Sequence, residues 1–327
     1  RTNLGEIKKY IAVDGNDYYS PLKDSKSKVE NQNLKGTVFK NSQGQFQDVD
    51  YLIITPKNLA TQAEKLANFH RNYSQMNVKV IHLENIYQEF SSGKQDIGAI
   101  RNLVKYLYEN ASIPGKRIKY VNLFGDGSYD YKNRISNNTN VVPLFHAFYK
   151  LTSQHPANGS FSLNYSNHLA YMSDDFYGLM DLSEGYVNSN EQLDVAVGRM
   201  LVSSASQADA MVNKVIQYHD EQSYGRWRNN CLFVSDDIDK LTDQTLQTDL
   251  DNLANEIAAE KPFINVKKIH TDSYVQQVAA GGERYPEAKS DFLDALAQGA
   301  LVFNYFGHGN EEFLARERLF EKLDAQN

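Results

Sequence analysis

The amino-acid sequence predicts an α/β protein made of two subdomains, each with a parallel sheet. Short apolar runs alternate with segments whose apolar residues recur at helical spacing, and this order gives parallel strands joined by right-handed crossovers. An irregular stretch at 125–191 interrupts the alternation, and a second alternating unit begins at about Asn229. The chain of 327 residues is also long for a single core, because domains hold roughly 100–200 residues. We therefore predict subdomains at 48–225 and 226–327.

Residues 1–47 differ from the first subdomain in composition. They are rich in Lys, Asn, Gln, Ser and Gly and contain short β-like pieces such as Thr37–Phe39. We interpret them as a linker or as the tail of a preceding β-domain.

The first subdomain begins with the order β-α-β-α-β. Its predicted strands are Tyr51–Thr55, Val78–Leu83 and Ile118–Phe124. Pro56 opens the helix after the first strand, and Asp96 caps the helix before the third.

After the irregular stretch, a predicted strand at Leu193–Val197 restores this sheet. Gly198 and Arg199 are predicted to form a turn, and a helix at 203–222 closes the subdomain.

The second subdomain repeats the alternation over fewer elements. The predicted elements are strand Cys231–Val234, a helix from Leu241 to Ala259, strand Phe263–Ile269, a helix from Pro286 to Gly299 and the buried strand Ala300–Phe306. These strands start a sheet but do not finish one, so we expect the second subdomain to be truncated.

The composition excludes several classes of function. The net charge of −7, without a basic stripe, argues against nucleic acid as a partner, because phosphate binding needs clustered Lys and Arg. No apolar segment approaches the about 20 residues needed to span a bilayer. The single cysteine, Cys231, excludes an internal disulfide framework and a cysteine-rich zinc site.

The most informative motif is Gly307-His308-Gly309, directly after the last predicted strand. Open α/β sheets place their chemistry at the carboxyl ends of strands, and a histidine there can act as a general base near neutral pH. The glycine after it leaves a backbone N–H free to approach a substrate oxygen, as an oxyanion donor must. The same two glycines also fit an ordinary surface turn.

Two other predicted strands end in polar sequences, at Gly125–Asp130 and Ser235–Asp239. In one parallel sheet these segments would lie at the same edge as His308. Asp236 or Asp237 is the expected partner because both belong to the subdomain of the histidine. A carboxylate there can hold the imidazole tautomer and stabilise the imidazolium. The alternative is a polar turn that caps the next helix.

The irregular stretch contains acidic residues spaced like oxygen ligands of a hard cation. The candidate calcium ligands are Asp126, Asp130, Asp174 and Asp175. The alternative is that these carboxylates face only water. The segment Gly125–Asp130 is not a phosphate loop, because it lacks the Lys-Ser/Thr ending.

Cys231 is predicted to be structural. It opens a buried strand, at the end opposite the edge where His308 is expected, and it has no adjacent histidine. A free cysteine in such a place behaves as a small hydrophobic residue.

Several longer motifs resemble those of the gingipain-type cysteine peptidases, and among them the sortases of the type IX secretion system. The resemblance runs in order over about 48–327. The motifs are Tyr51-Leu-Ile-Ile-Thr-Pro56, Ile86-Tyr-Gln-Glu-Phe-Ser-Ser-Gly93, Phe124-Gly-Asp-Gly-Ser-Tyr-Asp-Tyr131, Val197-Gly-Arg-Met200 and Asn304-Tyr-Phe-Gly-His-Gly309.

This resemblance implies a caspase-like and gingipain-like fold of two parallel-sheet α/β subdomains. It makes His308 the catalytic histidine, Gly309 the oxyanion donor, and Asp237 or its neighbour Asp236 the orienting acid. The family's catalytic cysteine follows the next strand, and no cysteine occurs after His308. We therefore expect this chain to be a fragment that lacks its nucleophile and is inactive by itself.

The resemblance also implies the function of the whole protein. A sortase of this kind is a cell-surface enzyme of the outer membrane that removes C-terminal signal domains of secreted proteins through a thioester. It works with outer-membrane secretion components and can pass the acyl group to an anionic lipopolysaccharide. It requires no cofactor, although calcium remains an optional ion. Its specificity is expected to be broad, since no acidic pocket for Arg or Lys can be assigned.

Two other functions compete with this one. A gingipain-like domain could serve as a non-enzymatic scaffold that binds secretion partners or substrate tails. A nucleotide-binding α/β domain is disfavoured, because the first strand leads into Thr55-Pro56-Lys57 and no glycine-rich fingerprint follows.

Overall fold

The computed structural model describes residues 11–16, 33–148, 170–182, 184–185, 191–240 and 243–326. The chain divides into two units, Arg1–Ile216 and Gln217–Asn327. The division lies a few residues before the boundary at 225/226 that the sequence indicated. None of the helices in these ranges is long and apolar enough to cross a membrane.

The first unit is built on a four-stranded parallel sheet in the order β2-β1-β3-β6. Its strands are β1 (Tyr51–Thr55), β2 (Val78–His82), β3 (Tyr120–Phe124) and β6 (Ala196–Met200), and its helices are α1 (Ala60–Tyr73), α2 (Leu83–Phe90), α3 (Ile97–Glu109) and α4 (Ala205–Tyr218). A separate antiparallel hairpin is formed by β4 (Phe145–Phe148) and β5 (Ala170–Ser173).

Helices cover both faces of this sheet because successive strand side chains point in opposite directions. Leu52 and Ile54 of β1 belong to a core with residues of α2 and α3. Ile53, between them, belongs to a second core with residues of α1 and α4. Because both faces of this strand are buried, its apolar residues follow one another without interruption in the sequence.

Three local predictions for this unit were wrong. Gly198 and Arg199 lie inside β6 and not in a turn, because the edge strand starts later than predicted and pairs with β3 up to Met200. The segment after β2 forms α2, which the prediction lacked. Thr37 lies in the helical turn Leu34–Val38, so this piece is not β-like.

The residues from Leu34 onward also pack on the first unit, although the sequence indicated a linker. Leu34 and Phe39 are buried in the same core as α2 and α3. The Glu89 carboxylate accepts hydrogen bonds from the backbone N–H groups of Leu34 and Lys35, at 2.6 and 3.1 Å. The interpretation of 1–10 and 17–32 as linker lies outside the described residues.

The second unit has a three-stranded parallel sheet in the order β11-β7-β8. Its strands are β7 (Asn230–Ser235), β8 (Asn265–His270) and β11 (Val302–Phe306), its helices are α5 (Gln244–Glu260) and α6 (Pro286–Gln298), and its short antiparallel pairs are β9 (Gln277–Ala279) with β10 (Gly282–Arg284) and β12 (Phe313–Leu314) with β13 (Phe320–Glu321). Here again the strand side chains alternate: Phe233 packs with α5, and Val234 with α6.

The strand before His308 is only partly buried, whereas the sequence predicted a buried strand. Val302, Phe303 and Phe306 are exposed by 44%, 41% and 41% of their surface. The reason is position: among the residues that the structure describes, β11 pairs only with β7 and forms the edge of this sheet.

Candidate active site

Two neighbouring strands of the second unit bring the candidate site residues to one edge of its sheet. β7 and β11 pair in parallel, with Ser235 opposite Phe306. The residues that follow each strand, Asp236 and His308, therefore leave the sheet close together. The N–H of Asp236 donates to the carbonyl of Phe306 at 3.2 Å and extends the ladder. The predicted third segment, Gly125–Asp130, follows β3 in the separate sheet of the first unit.

Asp236 and His308 form a hydrogen-bonded pair. Oδ2 of Asp236 lies 2.8 Å from the backbone N of His308 and 3.0 Å from its ring Nδ1. The carboxylate side chain is 3% exposed, whereas the imidazole side chain is 64% exposed. A buried carboxylate on Nδ1 favours the tautomer with its proton there, and leaves Nε2 of the exposed ring to exchange protons.

The loop that carries His308 holds the histidine backbone in place. The carbonyl of His308 accepts hydrogen bonds from the Tyr305 hydroxyl at 2.6 Å and from the Ala315 N–H at 2.9 Å. The N–H of Asn310 donates to the carbonyl of Phe313 at 3.0 Å. The motif is thus a surface turn, as one interpretation of the sequence had it, and it also presents an orientated histidine.

The two glycines of the motif have different roles. A Cβ on Gly307 would lie 2.4 Å from the Cβ of Asp236 and 2.5 Å from the hydroxyl oxygen of Tyr305, so no larger residue fits there. A Cβ on Gly309 would come no closer than 3.5 Å to its neighbours. Within the described residues the N–H of Gly309 donates no hydrogen bond. It is therefore free for the oxyanion role that the resemblance implies.

Asp237, the other candidate acid, has a different partner. Its Oδ2 accepts a hydrogen bond from the Tyr285 hydroxyl at 3.2 Å, and the residue is buried. Helix α5 begins at Gln244 with Asp243 at its N-cap, so neither Asp236 nor Asp237 caps it. Of the two aspartates left open by the sequence, Asp236 is the one that contacts the imidazole.

A third buried carboxylate, Glu317, lies beside the two aspartates. One carboxylate oxygen of each residue lies within 4.8 Å of the others. We call Asp236, Asp237 and Glu317 the carboxylate cluster. Glu317 lies in the loop between β12 and β13, and no sequence pattern indicated it; only the packing of that loop brings it to the strand ends.

Burial and mutual repulsion shift the protonation of this cluster. Burial, followed by the charge of Asp237, raises the pKa of Glu317 to about 7. Burial, followed by the charge of Asp236, raises the pKa of Asp237. Both effects disfavour the charged form of a carboxyl group.

A second histidine at this sheet edge connects a serine and an aspartate. Oγ of Ser235 lies 2.6 Å from Nδ1 of His270, whose Nε2 lies 3.1 Å from Oδ1 of Asp251. These are the residue types of a hydrolase triad, but Ser235 is fully buried, so no substrate reaches its hydroxyl. The contacts connect the ends of β7 and β8 to α5.

The structure does not bring the four candidate calcium ligands together. Asp174 forms a two-pronged ion pair with Arg199, whose Nη2 and Nε lie 2.7 and 2.8 Å from its oxygens. Asp175 is exposed. The guanidinium compensates the charge of Asp174 and occupies both of its oxygens, which a metal ion would otherwise use.

The other two candidates, Asp126 and Asp130, stabilise turns. Asp126 accepts hydrogen bonds from the N–H of Gly127 at 2.9 Å and from the hydroxyl of Thr139. Asp130 accepts from the N–H groups of Arg134 and Ile135. In the described ranges, the close group of potential metal ligands is the carboxylate cluster and not this set.

Cys231 lies in β7, five residues before Asp236, and is buried. At about 3.3 Å per residue its thiol is roughly 16 Å from the strand end where His308 lies. Burial also raises the pKa of the thiol, which disfavours the thiolate. Because the chain contains no other cysteine, it supplies no thiol to His308.

Two solved structures and one family model are similar to this chain. Among solved structures, dimeric latent PorU from Porphyromonas gingivalis is 26% identical over 55% of this chain and 16% of its own length, with a TM-score of 0.45. A structure described as a protease is 13% identical over 85% of this chain and 49% of its own length, with a TM-score of 0.50. This chain thus spans half or less of either protein. No curated protein sequence matches it.

The similarity to the protease shows the fold, and the predicted caspase-like and gingipain-like α/β architecture is confirmed. The family model described as Peptidase family C25 matches residues 45–327, which is most of the chain. The chain therefore belongs to peptidase family C25, the gingipain family of cysteine peptidases.

Proposed function

We propose that this chain is the histidine-bearing part of a type IX secretion system sortase, a cysteine endopeptidase that removes C-terminal signal domains of secreted proteins. The observation that carries the proposal is the exposed imidazole of His308 held by the buried carboxylate of Asp236. Membership of a cysteine peptidase family supports the thiol chemistry. The role in secretion rests on the motifs that resemble the sortases.

The first half of the reaction makes a thioester. The thiol comes from a cysteine outside this sequence, because Cys231 is buried at the far end of β7. Nε2 of His308 accepts the thiol proton, and the thiolate attacks the scissile carbonyl carbon. As the C–S bond forms, the carbonyl electron pair moves to the oxygen, where the N–H of Gly309 stabilises the charge. The C–N bond then breaks, and the leaving amine takes the proton from Nε2.

The second half releases the acyl group. A water molecule, or a nucleophilic group of an anionic lipopolysaccharide, attacks the thioester while Nε2 takes its proton. The thiolate then leaves and regains a proton from the imidazolium. Asp236 orients Nδ1 and stabilises the imidazolium in both halves. The residues named for these steps need no cofactor.

The proposal places the whole protein at the outer membrane, on the cell surface. Its partners there are C-terminal signal domains and the outer-membrane secretion components. Nothing in the acidic net charge of −7 favours a nucleic-acid partner.

The test is His308→Ala in the full-length protein, with signal-domain removal as the measurement. We expect processing to fall by at least about 10²-fold, the low end of what a general base contributes. His270→Ala is the matched control, because this histidine lies at the same sheet edge but contacts Ser235 and Asp251. Unchanged processing in a folded His308→Ala protein would favour the scaffold function, in which the histidine is dispensable.

A further inference from the structure

Three arginines line a cavity of about 370 Å³ in the second unit. The turn of the β9–β10 hairpin and the loop that joins β12 to β13 form its walls. Arg284 belongs to the hairpin, whereas Arg316 and Arg318 belong to the loop. We call it the arginine cavity. It collects positive charge on a chain whose net charge is −7.

The carboxylates of the arginine cavity do not neutralise it. Only two acidic residues, Glu283 and Glu317, line it with the three arginines, so an excess of positive charge remains. Arg284 forms no ion pair within the described part of the chain. Its guanidinium donates to the backbone carbonyls of Glu283 and Gly281, at 2.5 and 2.8 Å. Because a guanidinium carries five N–H donors, Arg284 keeps donors for a ligand.

The two arginines of the loop are held only weakly by their ion partners. The side chain of Arg316 is 77% exposed, and its Nη1 lies 3.8 Å from Oδ2 of Asp239. The side chain of Arg318 is 48% exposed, and its Nη1 lies 3.3 Å from one oxygen of Glu321. The other oxygen of Glu321 already pairs with Nζ of Lys289 at 2.9 Å. Exposed ion pairs of this kind contribute little, so both guanidinium groups are available to a bound anion.

The arginine cavity adjoins the loop that carries His308. The N–H of Ala315 donates to the carbonyl of His308 at 2.9 Å, and Arg316 is the next residue. Glu317 belongs both to the cavity and to the carboxylate cluster, in which Asp236 contacts the imidazole. An extended peptide advances about 3.3 Å per residue. A substrate side chain within about three residues of the scissile bond therefore reaches the cavity.

We propose that the arginine cavity selects substrates with an Asp or Glu side chain close to the scissile bond. This inference rests on the proposed function, because it assigns a specificity to the same active site. Guanidinium groups bind carboxylates through paired, charge-assisted hydrogen bonds. In a concave site these bonds are less exposed to water and so are stronger than on an open surface.

The size and lining of the cavity fit the side chain of an acidic residue. A volume of about 370 Å³ lies near the lower end of the range for ligand sites, which suits a single side chain. Phe313 adds an apolar wall, and the guanidinium of Arg318 lies over its ring at 5.2 Å from the centroid. Asp and Glu combine apolar methylene carbons with a carboxylate and so match both parts of this lining. The sequence indicated no acidic pocket for Arg or Lys, and this basic cavity predicts the opposite preference.

The test compares Glu with Gln in a secreted substrate, at each of the three positions on either side of the scissile bond. The full-length protein cleaves these substrates. We expect Glu to raise kcat/KM over Gln by at least about tenfold at one position, as a hydrogen bond to a charged group does. In Arg316→Gln this ratio should fall towards one. Arg226→Gln is the matched control and should keep the ratio, because Arg226 is an exposed arginine of the same unit outside the cavity.

A binding measurement separates this inference from the catalytic proposal. Fluorescein-labelled peptides with the cleavage-site sequence carry Glu or Gln at the same positions, and fluorescence anisotropy gives their Kd for the full-length His308→Ala protein. We expect a Kd at least about tenfold lower for a Glu peptide at low salt, and a smaller difference at high salt because of screening. If no substrate is cleaved but this difference depends on Arg316, the arginine cavity is supported and the sortase function fails.

The remaining outcomes count against the inference. Equal cleavage and equal binding of the Glu and Gln peptides at every position overturn it, as does an equal loss of preference in Arg316→Gln and Arg226→Gln. Arg316-dependent binding of an anionic lipopolysaccharide, without a preference for the Glu peptides, overturns the assignment of a peptide as the occupant. If circular dichroism shows that Arg316→Gln does not fold, Arg318→Gln takes its place with the same expectation.

Discussion

One oxygen of Asp236 contacts His308 twice, at the backbone N–H at 2.8 Å and at the ring Nδ1 at 3.0 Å. The same carboxylate therefore positions the loop and orients the imidazole. This double contact explains why the motif needs an acid at the end of the neighbouring strand.

Replacement of this acid should affect catalysis more than replacement of its neighbour. We expect Asp236→Asn to lower kcat/KM of the full-length peptidase by at least about 10²-fold, because an amide cannot stabilise the imidazolium. Asp237→Asn should lower kcat/KM by a smaller factor, since Asp237 contacts Tyr285 and not the histidine. Steady-state kinetics with excess calcium checks the difference, and a greater loss in Asp237→Asn would reverse the assignment.

The two glycines of the motif should respond differently to alanine. Gly307→Ala inserts a Cβ within 2.5 Å of Asp236 and Tyr305, and overpacking of this kind costs about 1–3 kcal/mol. Gly309→Ala meets only ordinary contacts at 3.5 Å or more and keeps its N–H, so the stability should change little. Thermal unfolding of both variants measures the contrast. Equal destabilisation by the two would contradict the packing described for Gly307.

Glu317 should make stability fall as the pH rises, when divalent cations are removed. Its pKa is raised from 4.5 to about 7 in the folded state. Between these two pH values the folded protein keeps a proton that the unfolded chain has already released, so the free energy of unfolding falls as the pH rises. The loss of stability is complete above a pH of about 7. We expect Glu317→Gln in chelator to be the more stable protein at alkaline pH, by on the order of 1 kcal/mol, and to equal the unmodified protein at acidic pH. Urea unfolding across the pH range checks this, and parallel stability curves would disprove it.

Arg199 should be a major contributor to the stability of the first unit. Its guanidinium side chain is 6% exposed, pairs with Asp174 and donates to the carbonyls of Gly125 and Val142 at 2.8 and 2.7 Å. Removal of one partner of a buried ion pair costs about 3–5 kcal/mol, which we expect for Arg199→Ala. Chemical denaturation with and without chelator gives the measurement. A chelator-dependent loss would indicate that Asp174 binds a metal ion after all.

Much of the fold follows from local sequence patterns. The first strand, the cap at Asp96 and the helix from Pro286 are observed where the pattern indicated them. The prediction failed for β6 and α2. Pairing with β3 decides where the edge strand β6 begins, and α2 is too short for its periodicity to stand out.

The candidate site was predictable only in part, for the same reason. His308 and its glycines are adjacent in sequence and could be recognised as a motif. The distinction between Asp236 and Asp237 depends on the register of β7 against β11, and Glu317 reaches the cluster through a loop that has no sequence signature. Contacts between segments far apart in the chain leave no local periodicity.

The sequence by itself determined the α/β class, the motif around His308 and the resemblance to the gingipain-type peptidases. It could do so because apolar spacing and short motifs are local properties of the chain. Only the tertiary structure decided that Asp236 orients the histidine, that Asp174 pairs with Arg199 and that Glu317 joins the carboxylate cluster. Those relationships depend on strand register, burial and loop packing, which arise only when distant segments come together.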